Sequence, residues 1–179
     1  KRYKFMYIPN LVLNSYSELD FNKLYEEGYR IIISDLDNTL ASYEEKKPSL
    51  ELKEFIKNVK NVGFKFYLVS NNKEQRIKFF NDELGTDGYL YRAGKPNIKK
   101  LVEFLKDVDI NKVVGLGDQL VTDILAFNRL NIYSILIKTI DLKTQKWYTK
   151  INRLREKRII NKIKKNNLEM GVQIEKLYE

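Results

Sequence analysis

Residues 30–39 read RIIISDLDNT, and this stretch decides the fold. Its run of isoleucines is β-branched and continuous, a pattern typical of a strand that is buried on both faces. Two acidic residues, Asp35 and Asp37, follow within four residues of the last isoleucine. A buried strand that ends in acidic residues predicts a parallel sheet with a ligand site at its carboxyl edge.

The stretches that follow alternate between strand and helix. Further strands are predicted at residues 64–70 (FKFYLVS), 112–116 (KVVGL) and 133–138 (YSILIK), with a short strand at 89–91. Helices are predicted at 17–28, 49–62 and 73–84, from a first turn containing Pro96 to about 108, and from a Thr122 cap to 130. This order predicts an α/β fold, a Rossmann-like parallel sheet with helices on both faces.

The composition excludes several kinds of chemistry. The chain has 179 residues, which predicts a single domain, 1–179, with a basic C-terminal extension from about residue 141. It contains neither Cys nor His, so disulfides, Ser-His-Asp triads and the usual zinc sites are excluded. A metal site must then consist mainly of oxygen ligands, which favours magnesium. With no apolar run of about 18 residues and no signal-like start, we expect a cytoplasmic protein.

Four polar clusters follow predicted strands, and each has an ordinary interpretation by itself. DLDNT at 35–39 is compatible with a capped turn, Ser70-Asn71-Asn72 with a helix cap and Lys95-Pro96 with an exposed loop. The cluster GDQLVTD at 117–123 is compatible with a turn and the start of a helix. All four lie at the ends of strands, however, and the carboxyl ends of parallel strands meet at one edge of a sheet. We therefore expect one shared site.

The residue types at this edge suit the transfer of a phosphoryl group. Asp35 would present a nucleophilic carboxylate, and Asp37 in the turn would reach the leaving-group oxygen. Asp118 adds a second carboxylate for magnesium, which would offset the repulsion between the nucleophile and phosphate. Ser70 would donate to phosphoryl oxygens, and Lys95 would supply positive charge in the transition state.

These clusters resemble the four motifs of the haloacid dehalogenase (HAD) superfamily in their expected order. Residues 35–39 resemble its DxDxT signature, and the resemblance covers about residues 30–138. It implies a Rossmann-like fold, Mg²⁺ and an aspartyl-phosphate intermediate. The residues it implies are Asp35, Asp37, Ser70 and Lys95 for catalysis; Ser70, Asn71 and Lys95 for phosphate; Asp35, Asp118 and the Asp37 carbonyl for the metal; and Thr39 and Asp123 in support.

The strings DLDNTL, VSNN and GDQLVTD resemble a narrower branch, the YqeG-type phosphatases, which is related to mitochondrial phosphatidylglycerophosphate phosphatases. This resemblance implies dephosphorylation of phosphatidylglycerophosphate to phosphatidylglycerol. Only residues 41–48 separate the first strand from its helix, and one helix and a short strand lie between Ser70 and Lys95. The spacing therefore predicts a capless HAD core. An open site suits a phosphate carried on something large, such as a lipid headgroup.

The positive charge is concentrated near the C-terminus. Residues 143–165 hold ten Lys or Arg and one acid, Glu156, and so account for the whole net charge of +9. The apolar residues of this segment lie on two helical faces, which predicts two short segments: Trp147, Ile151 and Leu154, then Ile159, Ile160 and Ile163.

Two interpretations of this segment are open. In one, its apolar residues dock on the sheet and its bases are solvated. In the other, it lies peripherally on anionic lipid at the inner membrane face, with Trp147 and Tyr148 at the interface.

Two further functions stay open beside the lipid phosphatase. The first is a phosphatase of phosphoproteins or of small phosphorylated metabolites, which would share the chemistry and differ in substrate. The second is an RNA-associated binding module, since ten bases with interspersed aromatic residues suit phosphate contacts. The complete set of motif residues argues against a vestigial site, so nucleic acid is not the expected partner.

Overall fold

The structure, a computed structural model, describes residues 6–141 and 147–178, and the side chains of residues 147–154 lie outside that description. Within these residues the strands are β1 Leu11–Leu13, β2 Ile31–Ser34, β3 Lys65–Val69, β4 Gly88–Leu90, β5 Val113–Gly117 and β6 Tyr133–Ile137. They form one parallel sheet in the order β1-β6-β5-β2-β3-β4. The α-helices are α1 Phe21–Glu26, α2 Leu50–Val62, α3 Glu74–Leu84, α4 Lys99–Phe104, α5 Leu125–Arg129, α6 Trp147–Lys164 and α7 Leu168–Lys176.

The isoleucine-rich strand β2 lies at the centre of the sheet, between β3 and β5. Ile32 is in register with Phe66 on one side and with Val114 on the other, and all three are fully buried. Ile32 packs in the core layer beneath α1, α2 and α3, whereas Ile33 packs in the layer beneath α4 to α7. Because successive strand residues face opposite sides, this alternation requires helices on both faces. The predicted Rossmann-like α/β fold is confirmed.

Both connections that could have carried a cap domain are short. Within the described range 6–141, a loop joins β2 to α2, and α3 alone lies between β3 and β4. Ser49 accepts the Leu52 N–H at the start of α2, and Gly63 ends this helix with a φ of 120°. The core is therefore capless, as predicted, and the carboxyl edge of the sheet is not covered by an inserted domain.

Two elements near the N-terminus differ from the prediction. Strand β1 was not predicted, because three residues are too few to show a period; it pairs with β6 at the edge of the sheet. The helix predicted at 17–28 is two elements, a 3₁₀ turn at Tyr16–Glu18 and then α1. The cause is Asp20, whose side chain accepts the Lys23 N–H and starts a new helix.

The helices after Lys95 and Asp118 also begin elsewhere than predicted. Pro96 lies in a turn after a cis peptide bond, and α4 begins at Lys99, whose N–H is accepted by the Asn97 side chain. Thr122 does not cap a helix. It lies inside a π-helix, Leu120–Ile124, that continues into α5. In each case a polar side chain other than the predicted one accepts a backbone N–H at the start of the helix: Asn97 accepts that of Lys99, and Asp123 accepts that of Gln119.

The C-terminal segment forms a helical hairpin rather than two short segments within residues 147–163. Helix α6 runs for 18 residues without interruption, because no Gly or Pro breaks it, and α7 follows. Ile160 and Ile163 are buried in the same core layer as Ile174 of α7 and Leu177, which follows that helix. For these residues the docking interpretation therefore holds.

The outer face of the hairpin is basic. Arg155, Lys157 and Arg158 are exposed in the second half of α6. The expected interfacial placement of Trp147 and Tyr148 concerns side chains outside the described residues. Among the described helices, none has the length and apolar character needed to cross a bilayer.

Candidate active site

Three central strands deliver the predicted site residues to one edge of the sheet. Asp35 directly follows β2, Ser70 follows β3 and Asp118 follows β5. Asp35 and Ser70 extend the strand ladders, since their N–H groups donate to the carbonyls of Leu116 and Leu90, both over 2.9 Å. The local sequence thus places these side chains just beyond the last strand bonds, where parallel sheets bind ligands.

Lys95 lies at the centre of this edge and is held by three oxygens. Its Nζ is 2.7 Å from Asp35 Oδ1 and 2.7 Å from Asp123 Oδ1, and it donates to the Val69 carbonyl over 2.8 Å. The side chain is 1% exposed. An ammonium group has three protons, so this geometry fixes its position completely. Burial alone lowers the pKa of Lys95, but the carboxylates of Asp123 and Asp35 raise it above its usual value, and the lysine stays cationic.

Three carboxyl groups, those of Asp35, Asp118 and Asp123, lie together beside one lysine, so ionisation of all three would leave an excess of negative charge. Burial raises the pKa of Asp35 to about 7, although the charge of Lys95 lowers it. Burial raises the pKa of Asp118 well above its ordinary value, and the charges of Asp123 and Asp35 raise it further. Protons and cations therefore compete for this cluster.

The same residues can hold a divalent metal ion. Asp35, Asp118 and Asp123 each offer a carboxylate oxygen, and these oxygens lie within 4.8 Å of one another. Both oxygens of Asp123 are already engaged, one by Lys95 and the other by the Gln119 N–H at 3.1 Å. All three residues offer oxygen, and an all-oxygen set suits a hard divalent cation. Asp123, expected from the sequence only as a supporting residue, thus contacts Lys95 through one oxygen and the backbone of its own loop through the other.

Two threonines orient the remaining carboxylate oxygens. Thr39 Oγ1 lies 3.4 Å from Asp35 Oδ2 and 3.3 Å from Asp118 Oδ1, between the two groups. Thr139, just beyond β6, donates to Asp118 Oδ2 over 3.0 Å. These contacts fix the Asp118 carboxyl from two sides.

The last position of β5 requires glycine. A Cβ atom built on Gly117 would lie 2.3 Å from Asp123 Cβ, far inside van der Waals contact. Asp123 reaches this position because it lies on the π-helix, where the Ile124 N–H bonds back to the Gln119 carbonyl over 3.1 Å. Such π-helical turns frequently occur at functional sites.

Asp37 is held by residues outside the acidic cluster. Arg76 Nε donates to its Oδ1 over 2.6 Å, and Asn72 Nδ2 donates to its Oδ2 over 3.0 Å. The same guanidinium also donates to the carbonyls of Ser42 and Glu45. Arg76 therefore joins the predicted general acid to the loop between β2 and α2.

The Ser70-Asn71-Asn72 cluster fixes loops rather than capping a helix. Ser70 Oγ accepts the Asn72 N–H over 3.0 Å, and the residue at the N-cap position of α3 is Lys73, whose side chain makes no capping hydrogen bond. The Asn71 amide donates to the Lys95 carbonyl over 2.9 Å and accepts the Lys95 N–H over 2.8 Å. Asn71 thus holds the backbone of the loop that carries Lys95. A contact between phosphate and either Ser70 or Asn71 stays a prediction.

Four residues around the site were not singled out from the sequence as site residues: Asn72, Arg76, Thr139 and Glu156. Thr139 follows a predicted strand, so the same strand-end argument could have found it. Glu156 was marked only by being the single acid in a basic segment. Arg76 had no such signal, because its partner is 39 residues away in the chain.

The class of protein follows from comparison with a protein family and with a curated relative. A family model described as haloacid dehalogenase-like hydrolase matches residues 12–131, and the chain belongs to this hydrolase family. The probable phosphatase YqeG of Bacillus subtilis (strain 168) is 32% identical over 164 residues, which cover 90% of this chain and 94% of that protein. The chain is thus a phosphatase of the HAD superfamily, in which catalysis uses a divalent metal.

Solved structures share the fold at low sequence identity. The cobalt-bound deoxy-D-mannose-octulosonate 8-phosphate phosphatase YrbI of Haemophilus influenzae is 16% identical, with a TM-score of 0.51, over 64% of this chain and 70% of that chain. An uncharacterized protein of Listeria monocytogenes serotype 4b is also 16% identical, with a TM-score of 0.51, over 69% of this chain and 98% of that chain. At this identity the similarity concerns the fold alone.

Proposed function

We propose that this chain is a magnesium-dependent phosphomonoesterase that forms an aspartyl-phosphate on Asp35. One observation carries the proposal. Asp35 is held by Lys95 through one oxygen, while its other oxygen lies by Thr39 on the side of Asp118. A nucleophile, a buried cation and a second carboxylate thus meet at the open carboxyl edge of the sheet. This is the arrangement that phosphoryl transfer requires.

In the proposed reaction, Asp35 attacks phosphorus and the bond from phosphorus to the leaving-group oxygen breaks. Asp37 gives a proton to that oxygen, so an alcohol departs and Asp35 carries the phosphoryl group. A water molecule then attacks phosphorus through its oxygen, and Asp37 accepts a proton from this water. The bond to Asp35 breaks and inorganic phosphate leaves, which restores both carboxyl groups.

The other site residues hold charge in place during both steps. Lys95 keeps a fixed positive charge beside the phosphoryl oxygens, and Ser70 lies where its hydroxyl can donate to them. When bound by Asp35, Asp118 and the Asp37 carbonyl, Mg²⁺ supplies the charge that offsets repulsion between nucleophile and phosphate. Thr39 and Thr139 keep the carboxylates oriented for it.

For the substrate, we propose phosphatidylglycerophosphate. The capless edge leaves room for a phosphate that protrudes from a large assembly, and the basic face of α6 suits an anionic surface. We also propose that the chain works as one domain, 1–179, because the C-terminal hairpin shares a core layer with α5 and β6. Peripheral contact with an anionic membrane at its inner face would bring this edge to the lipid headgroups.

The test measures phosphate release from phosphatidylglycerophosphate in mixed micelles, from a phosphopeptide and from a soluble aryl phosphate, with and without Mg²⁺. We expect Mg²⁺-dependent release that is fastest with the lipid and is lost in Asp35→Asn. Release from the aryl phosphate or the phosphopeptide alone would keep the mechanism and remove the lipid substrate. No Mg²⁺-dependent release from any of the three would remove the proposed reaction.

A further inference from the structure

The single acid of the basic C-terminal segment is buried against the active-site loop. Glu156 on α6 is 4% exposed, although the bases beside it in the sequence, Arg155 and Lys157, are exposed. Its Oε1 accepts the Leu120 N–H over 3.0 Å. Burial raises the pKa of Glu156 to about 7, although the N–H of Leu120 and the Tyr178 hydroxyl lower it. Burying a carboxyl group is costly unless it is hydrogen-bonded, so the buried Glu156 needs a specific partner.

The partner of Glu156 is the loop that carries both acidic residues of the fourth motif. Leu120 begins the π-helix, two residues after Asp118 and three before Asp123. The first N–H groups of a helix have no partners within the helix. Here two successive groups are satisfied by carboxyl groups: the Gln119 N–H by Asp123 and the Leu120 N–H by Glu156. Leu120 itself is fully buried, so water is a poor substitute.

We propose that Glu156 is a positioning residue for metal binding, which holds the loop between Asp118 and Asp123 in the conformation that binds Mg²⁺. This inference rests on the proposed Mg²⁺-dependent function. Without Glu156, the Leu120 N–H loses its acceptor, and the loop must move to find another. Helix α6, which lies beyond the residues that the family model matches, is then part of the active site rather than an appendage.

The test compares Mg²⁺ binding by the full-length chain in four variants, measured by titration calorimetry. Glu156→Ala removes the acceptor, and Glu156→Asp withdraws it by one methylene. Glu156→Gln keeps one acceptor oxygen. Glu175→Gln is the matched control, because it removes the ion pair between Glu175 of α7 and Lys164 of α6 without changing Glu156.

We expect Glu156→Ala to weaken Mg²⁺ binding about tenfold, the lower end of the effect of outer-shell partners. Glu156→Asp should weaken binding in the same direction, and Glu156→Gln should stay within about threefold of the wild type. Glu175→Gln should bind Mg²⁺ as the wild type does. If Glu156→Ala does not fold, Glu156→Asp and Glu156→Gln still decide the question, with circular dichroism to confirm folding.

Wild-type Mg²⁺ affinity in folded Glu156→Asp would overturn the inference, as would an equal loss in Glu175→Gln, which would indicate general docking of the hairpin. Phosphate release from the aryl phosphate is measured beside the calorimetry. Mg²⁺ binding that depends on Glu156 without phosphate release would overturn only the proposed function. No Mg²⁺ binding by the wild type would overturn the inference itself.

Discussion

Replacing Gly117 with alanine should disable the site through a single methyl group. The added Cβ would lie 2.3 Å from Asp123 Cβ, 2.6 Å from its Cγ and 2.8 Å from its Oδ2. Asp123 must therefore move, and it cannot do so while its Oδ1 stays 2.7 Å from Lys95 Nζ. The substitution thus acts on Lys95 through Asp123, without touching Lys95 directly.

The expected loss combines two physical effects. Overpacking a well-packed interior costs about 1–3 kcal/mol. Breaking a buried ion pair by displacing one partner costs about 3–5 kcal/mol when it is complete. Because a shifted Lys95 still has Asp35 and the Val69 carbonyl as partners, the loss of the ion pair is partial, and we expect a total of about 3 kcal/mol in the free energy of unfolding. A displaced Lys95 should also lower kcat/KM about 100-fold, the effect of a misplacement of about 1 Å at a catalytic group.

Gly115→Ala is the matched control on the same strand. A Cβ atom there would lie 2.7 Å from the Phe127 ring, away from the site. Urea unfolding should show a loss of about 1–3 kcal/mol for this variant, while phosphate release from an aryl phosphate stays close to wild type in the folded fraction. If Gly117→Ala loses no more activity than Gly115→Ala, the contact between Gly117 and Asp123 does not govern the position of Lys95.

Two further predictions concern groups at the borders of the site. Arg76 holds the Asp37 carboxyl in place, so Arg76→Ala should misplace the general acid. We expect kcat/KM to fall about 100-fold for an alkyl phosphate, whose leaving group needs the proton of Asp37. The loss should be much smaller for p-nitrophenyl phosphate, whose leaving group departs as an anion. Lys78→Ala on the same helix is the control, and equal losses with both substrates would exclude a link to the general acid. The free energy of unfolding should also depend on pH through Glu156, whose folded pKa of about 7 lies above the ordinary value of 4.5. Between these values the folded state binds the proton more tightly, so stability falls as pH rises, by roughly 3 kcal/mol in total. Urea unfolding of the wild type and of Glu156→Gln from pH 5 to pH 8 should show this difference in slope, and parallel curves would contradict it.

Much of the fold could be predicted because its signals are local. The isoleucines of β2 lie side by side in the chain, and the helix predicted at 49–62 agrees with α2, Leu50–Val62, because its apolar spacing lies within one stretch. Elements with short or competing signals were missed: β1 has three residues, and the start of α1 depends on one hydrogen bond from Asp20. Local patterns do not show which of two polar groups will bind the backbone.

The sequence by itself determined that Asp35, Ser70, Lys95 and Asp118 follow the strands of a parallel sheet. This was possible because such strands end at one edge whatever the details of packing. Only the tertiary structure decided that Asp123 forms an ion pair with Lys95. It alone decided the contact between Arg76 and Asp37, 39 residues apart, and that between Glu156 and Leu120, 36 residues apart. Such contacts depend on the packing of α3 and α6 against the sheet, which no pattern along the chain records.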